Sequence, residues 1–282
     1  MPDAVQGGSL ADTHVGKPGL PRGRSRLPAA HVRASQLERL RAATISAVAE
    51  AGYAAVTIAD IVRRAKVSRA AFYAHFADKE DCFLAATREG GQLMTGRVIA
   101  ATRALPANAS DEEVLGAGCR AFLEFLADQP AFARVFCVDM PAAGPRAVER
   151  LEVAGRRFAE MTATWHRRAC DRHPEWPAVP DEVYLALAGA SAELVRVAVR
   201  NGQTHALPKL TDTVLALHLA VLAHRRWPDS TAAGDLALRW MLSFPEHDEH
   251  RDHGDEQDGR DQVIHLGIVR DAKQRSSRRW RR

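Results

Sequence analysis

The stretch Thr57-Ile-Ala-Asp-Ile-Val-Arg-Arg-Ala-Lys-Val-Ser-Arg-Ala-Ala-Phe-Tyr-Ala-His-Phe76 decides the fold. Thr57 followed three residues later by Asp60 is a capping-box pattern, a sequence-level helix start. Ile58, Ile61, Val62 and Ala65 then recur at helical spacing on one face, and the small Ala65 allows a second helix to cross closely. Lys66-Val67 makes a short turn with Val67 as its apolar anchor, and Ser68 caps a second short helix that buries Phe72 and ends near Phe76. Two helices of this length on so tight a turn suit a helix-turn-helix, whose second helix enters the DNA major groove.

The side chains left outside carry the chemistry. The N-terminus of the Ser68 helix offers unpaired N–H groups and a positive dipole end, which favour phosphate oxygens. Arg69 stands in its first turn, where a guanidinium reaches guanine O6/N7 or a phosphate. Tyr73 and His75 project from the far end toward the DNA backbone, while Asp78 caps the next helix and sets Lys79 within reach of a phosphate. Spacing alone also admits an ordinary helical hairpin with one exposed arginine.

Outward from this motif the chain stays helical. Leu37, Leu40, Thr44, Val48 and Ala51 form a stripe that stops at Gly52. Further helices are expected over 78–103, 111–128, 131–138, 145–173, 181–201 and 211–226, with breaks at Pro106, Pro130, Pro141, the Pro174/Pro177/Pro180 cluster and Gly202 with Pro208. No run alternates with period two, so the fold class is all-α: an N-terminal three-helix helix-turn-helix domain followed by a helical ligand-binding and dimerisation domain. The expected boundaries are a flexible basic arm at 1–31, the DNA-binding domain at 32–82, the effector and dimerisation domain at 83–226, and a largely disordered tail at 227–282. The tail reading rests on blocked charge: 246–261 holds eight acids against two arginines, and 270–282 seven bases against Asp271.

Composition narrows the class. A chain of 282 residues that is 46% hydrophobic and 26% charged buries a core. Its net charge of +4 is uneven, because residues 17–81 hold 12 Lys/Arg against 6 Asp/Glu, a net of +6, leaving −2 elsewhere. A basic N-terminal segment points to a polyanion partner. The longest apolar run, 214–223, is interrupted by His218 and falls well short of the ~18 residues a membrane span needs. The first 30 residues lack a signal-peptide core. Cys82, Cys119, Cys137 and Cys170 form no C-x-x-C pair, which argues against zinc or disulfide scaffolds and fits a reducing cytoplasm.

From Gln36 to Leu84, through Ala-Glu-Ala-Gly-Tyr53, Val-Thr-Ile-Ala-Asp-Ile-Val62, Val-Ser-Arg69, Phe-Tyr-Ala-His-Phe76 and Asp-Lys-Glu-Asp81, the sequence resembles the DNA-binding domain of TetR-family transcriptional regulators. The resemblance implies a homodimer on double-stranded DNA carrying a palindromic operator, a repressor controlled by a small-molecule effector, with no cofactor. It places Thr57, Ser68, Arg69, Tyr73, His75 and Lys79 at DNA-contact positions. Ala70-Ala71 departs from the family pattern: with no side-chain donor, Ala70 offers only its methyl, for instance to thymine. Base readout then rests on Arg69 and on Arg22, Arg24 and Arg26 of the arm, which suit a minor groove.

For the remainder, Phe122, Phe125, Phe136, Met140, Met161, Trp165 and Tyr184 are the candidate lining of an apolar effector pocket, against the plainer reading of simple core. Tyr184, Leu187, Ala188, Ser191, Leu194 and Val195, with the apolar 214–222 segment, suggest a dimer seam. A loose G-x-G-x-x-A match at Gly116–Ala121 lacks a preceding strand and carries no dinucleotide site. His247, His250 and His253 read as solvated tail rather than metal ligands. The alternatives are a nonspecific DNA-binding protein, or an enzyme using the aromatic pocket, for which no nucleophile–base pair or metal cluster is visible.

Overall fold

In the computed structural model, the described residues are 9–12 and 28–223; the arm arginines, the tail and its histidines lie outside them. The chain forms α1 (Ser9–Asp12), α2 (Ala29–Ala51), α3 (Ile58–Ala65), α4 (Arg69–Tyr73), α5 (Lys79–Arg103), α6 (Asp111–Asp128), α7 (Pro130–Arg134), α8 (Pro145–Cys170), α9 (Asp181–Arg200) and α10 (Thr211–Leu222). A π-helical turn at Val135–Asp139 and a 3-10 turn at Met140–Ala143 follow α7, and a second 3-10 turn at Thr204–Leu210 precedes α10. Among the described residues there is no strand, and the all-α expectation holds. Helix starts follow local chemistry: Asp78 and Ser110 accept from the backbone N–H groups of Asp81 and Glu113, and Ser110 with Glu113 completes a capping box. Pro130 and Pro145 stand in first turns, where a missing N–H does no harm.

Helix α2 runs three residues further toward the N-terminus than the sequence pattern suggests, and from Arg39 to Ala49 all but one of its residues are buried. It packs against α3 and α5 on one side and against α7 and the π-helical turn on another. The single turn α1 closes a further side: the Leu10 backbone N–H donates to Gln129 Oε1 at 2.9 Å, and Ala11 is buried. One continuous core therefore runs from Leu40, Ile61 and Phe72 through Phe83 and Met94 to Phe132, Met140 and Val195. The sequence boundary between 82 and 83 falls inside α5, which carries the chain without a break from the helix-turn-helix to the helices beyond.

Along α5, Gly90 makes room for Phe132: a Cβ built there would overlap the Phe132 ring, so the ring rests directly on the α5 backbone. Phe132 also meets Phe125 edge-on at 5.9 Å and stacks on Phe136 at 5.3 Å. Further along, α8 carries Trp165 and His166 into a second, smaller cluster with Val183, Tyr184, Leu187 and Leu222. No helix among the described residues is long and apolar enough to cross a membrane.

Candidate nucleic-acid interface

Helix α2 stops at Gly52, whose φ of 80° suits a residue without a Cβ. The chain then reverses through Tyr53, held edge-on to Phe83 with centroids 4.9 Å apart, and enters α3 at Thr57. The capping box is complete. Thr57 N–H and hydroxyl both donate to Asp60 Oδ2, at 3.0 and 2.6 Å, and Asp60 N–H donates back to Thr57 Oγ1. The Thr57 hydroxyl and backbone N–H, with Arg63 beyond them, hold the Asp60 carboxyl down to about 2, so the box stays ionised across ordinary pH.

Helix α3 ends in a Schellman turn. Val67 N–H reaches Val62 O at 3.1 Å and Lys66 N–H reaches Arg63 O at 3.3 Å, while Val62 and Val67 both pack on the core. Lys66 sits in the left-handed region at φ 54°, ψ 41°, where an L side chain costs about 1 kcal/mol or more. Ser68 then caps α4 by accepting from Ala71 N–H at 3.1 Å.

Helix α4 is a five-residue element held by one ring. Phe72 is fully buried, with Phe76 tilted against it at 5.7 Å. The rest of the helix faces out: Arg69 and Ala70 are exposed and Tyr73 is 50% exposed. Arg69 and Tyr73, one turn apart, are paired, with the guanidinium 5.8 Å from the ring centroid and Nη2 3.4 Å from the hydroxyl. The structure thus gathers Ser68, Arg69, Ala70 and Tyr73 on one exposed ridge and leaves Thr57 exposed at the start of α3.

His75 and Lys79 have work inside the domain. The His75 ring faces Gln36 Oε1 of α2 at 3.3 Å and is half-buried. The Lys79 ammonium donates to Tyr53 O at 2.8 Å and Val56 O at 2.9 Å and lies 4.1 Å from the Tyr53 ring, which pins the α2–α3 loop to the first turn of α5. Burial lowers its pKa. Two of its three donors are committed, and one remains for a phosphate. Neither partnership is visible in the sequence: Gln36 is 39 residues from His75, and the Lys79 acceptors are backbone atoms. Two further ties escaped the pattern. Arg64 grips Glu50 bidentately, locking α3 to α2. Arg146, in the first turn of α8, spans Asp81 at 2.9 Å and Glu80 at 3.4 Å in the first turn of α5.

The seven candidate pocket residues fall into more than one group. Phe125 and Met140 are buried in the main core, with Phe122 and Phe136 packed on it; Phe122 meets Phe158 edge-on at 5.1 Å. Trp165 and Tyr184 belong to the second cluster, and Met161 is half-buried between the two along α8. At about 1.5 Å rise per residue, Phe158 and Trp165 stand roughly 10 Å apart along the helix axis, far enough to enter different layers. Trp165 Nε1 donates to Asp111 O at 3.0 Å, and the Asp111 carboxylate is gripped by Arg172. His166 is buried between the Tyr184 hydroxyl at 2.9 Å and Leu222 O at 3.0 Å. A carbonyl only accepts, so Nε2 carries the proton and Nδ1 accepts from Tyr184. No group of His, Cys, Asp and Glu among the described residues is arranged to hold a metal ion.

Residues 40–86 match the family model of bacterial regulatory proteins of the tetR family. No curated protein matches the sequence. Among solved structures, the fold is similar to the fatty acid degradation regulator FadR of Bacillus halodurans, at TM-score 0.59 and 18% identity over 67% of this chain and 97% of that one. It is also similar to the transcriptional regulator FadR of Bacillus subtilis solved in complex with stearoyl-CoA, at TM-score 0.57 and 18% identity over 65% and 98% of the two chains. A tetR-family regulatory protein from Rhodococcus RHA1 follows at TM-score 0.54 and 22% identity over 66% and 96%. At these identities the likeness is one of fold. With its capped α3, its short α4 and the match over 40–86, this segment is a helix-turn-helix similar to that of bacterial regulatory proteins of the tetR family.

Proposed function

We propose that this chain is a repressor that binds a palindromic operator as a homodimer and is controlled by a hydrophobic small molecule, with no catalytic chemistry of its own. The observation that carries the reading is the ridge Ser68, Arg69, Ala70 and Tyr73, held outward by the single buried anchor Phe72. In the major groove Arg69 supplies the bidentate contact to guanine, the Ala70 methyl an apolar contact, and Ser68, Tyr73, Thr57, His75 and the free donor of Lys79 the backbone contacts that set register.

A dimer is supported by α9, but not on the seam the sequence pattern suggests: Tyr184, Leu187, Ser191 and Val195 are buried inside the chain, and of that set Leu194 is exposed. Leu185 is 48% and Val197 44% exposed, and Ala186, Gly189, Ala190 and Leu194 are exposed with them. An apolar face with small residues permits close helix approach, and a two-fold contact there presents two copies of α4 to one face of DNA, about 34–36 Å apart. The effector reading is supported by the half-buried rings Phe122, Phe136 and Phe158 beside α8. The Bacillus subtilis relative, solved with stearoyl-CoA, makes a long acyl chain the first class to try. An effector shifts operator affinity only by its differential affinity for two conformers.

The test is a footprint on the DNA flanking the chain's own gene, with the oligomeric state measured alongside. Protection of an inverted repeat by a dimer, relieved by an acyl-CoA from a chain-length series, is the expected result. A monomer, or uniform protection of all DNA, overturns the reading and favours a nonspecific binder.

A further inference from the structure

The start of α5 has two requirements that oppose each other. Asp78, Glu80 and Asp81 suit a helix N-terminus, where carboxylates meet the positive end of the dipole, and Asp78 accepts the Asp81 N–H at 2.8 Å. Lys79 stands among them, its ammonium held by Tyr53 O at 2.8 Å and Val56 O at 2.9 Å with one donor left over. A phosphate brought to that donor meets three carboxylates within one helical turn, about 5 Å of axis, and the Debye length at 0.1 M salt is about 10 Å. Residues 78–81 carry three acids and one lysine, a net of −2.

Arg146 offsets part of this charge. Its guanidinium lies 2.9 Å from Asp81 Oδ1 and 3.4 Å from Glu80 Oε2, across 65 and 66 residues of chain, and brings the local net to −1. Its own helix does not favour it. The second residue of α8 stands at the positive end of that dipole, where a cation is disfavoured, and no acidic residue shares its first turn. As a mechanical tie the contact is weak, because ion pairs this exposed add little to stability. What the guanidinium alters most is the field beside Lys79.

We propose that Arg146 is a positioning residue of the DNA interface, supplied from α8: it offsets the carboxylates around Lys79 and keeps that ammonium able to take a phosphate. The proposal rests on the DNA-binding reading above and adds to it a residue that touches no DNA. It also places part of the DNA affinity on the helix that carries Phe158 and Trp165. A shift of α8 against α5 then changes DNA affinity through charge alone, with no movement of α4 required.

The experiment uses the full chain and a short mixed-sequence DNA duplex, titrated at several salt concentrations, with a thermal melt of each variant. Arg146→Ala is expected to melt close to the wild-type temperature yet bind roughly two- to fivefold more weakly at low salt, the gap closing as salt screens the carboxylates. Arg146→Lys keeps the charge and binds as wild type does. Glu80→Gln alone binds more tightly than wild type, and Arg146→Ala combined with Glu80→Gln returns to wild-type affinity. A broken tie between helices is not mended by removing a second of its members, so this rescue separates charge from fastening. If Arg146→Ala binds as tightly as wild type, or the double variant stays as weak as Arg146→Ala, the Arg146 role is overturned while the DNA-binding reading stands. Should Arg146→Ala fail to melt cooperatively, Glu80→Gln decides, and no gain in its low-salt affinity overturns the role. If wild type shows no salt-dependent binding, both fall together.

Discussion

Around Phe72, one buried ring holds a five-residue helix whose Arg69, Ala70 and Tyr73 are left to solvent. Around His166 the ring itself is withdrawn from solvent: two tryptophan rings, the Tyr184 hydroxyl and the Leu222 carbonyl surround it and tie α8, α9 and α10 together, and Trp165 Nε1 reaches on to Asp111 O of α6. On the proposed reading, the first region presents donors that DNA would complete with phosphates and base edges. The second has finished its own. A surface that keeps donors exposed while its scaffold is fully satisfied is built to meet a partner, and a cluster whose polar atoms are all engaged is built to hold helices in place.

That contrast breaks most readily at its anchors. Phe72→Ala removes the only fully buried side chain of α4, and we expect a loss of about 3–5 kcal/mol, read by denaturant titration, with DNA binding abolished. If the ridge survives this change and still binds, α4 is held by something other than the Phe72 ring.

Gly90→Ala drives a methyl into the Phe132 ring and is expected to destabilise by about 1–3 kcal/mol. Combining it with Phe132→Leu, which clears the space, should make the two changes non-additive. Strict additivity would show that the close approach carries no strain.

On the ridge itself, Arg69→Ala should leave the melting temperature unchanged, since the side chain is exposed, yet lose about 1–3 kcal/mol of discrimination between operator and random DNA. Equal losses on both DNAs would reassign Arg69 from base reading to phosphate contact.

The most gradual effect is in pH. Burial lowers the pKa of His166 and of His218, whose Nδ1 donates to Val214 O. Both rings are neutral in the folded chain while the unfolded chain takes up protons below its own pKa of about 6.5. Stability is therefore complete above that pH and declines as pH falls below it toward the depressed folded values, by at most about 1.4 kcal/mol per pH unit for each ring. Thermal melts between pH 7 and pH 5 read this slope, and His218→Leu should reduce it. A melting temperature that is flat across this range in the wild-type chain contradicts the assignment.

Much of this was legible in the order of residues. Thr57 with Asp60, Ser68 with the apolar spacing around it, and Phe72 mark helix starts and a buried face through interactions that span four residues or fewer, so periodicity and capping rules reach them. The helix at Asp111–Asp128 is likewise bounded by its own capping box and by Pro130. The double occupation of Lys79 and the pairing of His75 with Gln36 were not legible, because their partners are backbone atoms or residues tens of positions away. The aromatic residues of the middle helices looked like one group for the same reason: sequence shows that they are apolar, and only the crossing of α8 over its neighbours sorts Phe158 and Trp165 into different clusters.

The sequence by itself determined the helical class, the tight two-helix motif and the exposure of Arg69, Ala70 and Tyr73 around buried Phe72, because these follow from hydrogen bonds and apolar spacing within a few residues along the chain. The tertiary structure alone decided that α2 is wrapped from nearly every side, that Gly90 yields its space to Phe132, and that Arg146 ties the first turn of α8 to that of α5. Those outcomes depend on which distant surfaces meet, and close packing leaves one arrangement in which each side chain fills the space its neighbours leave.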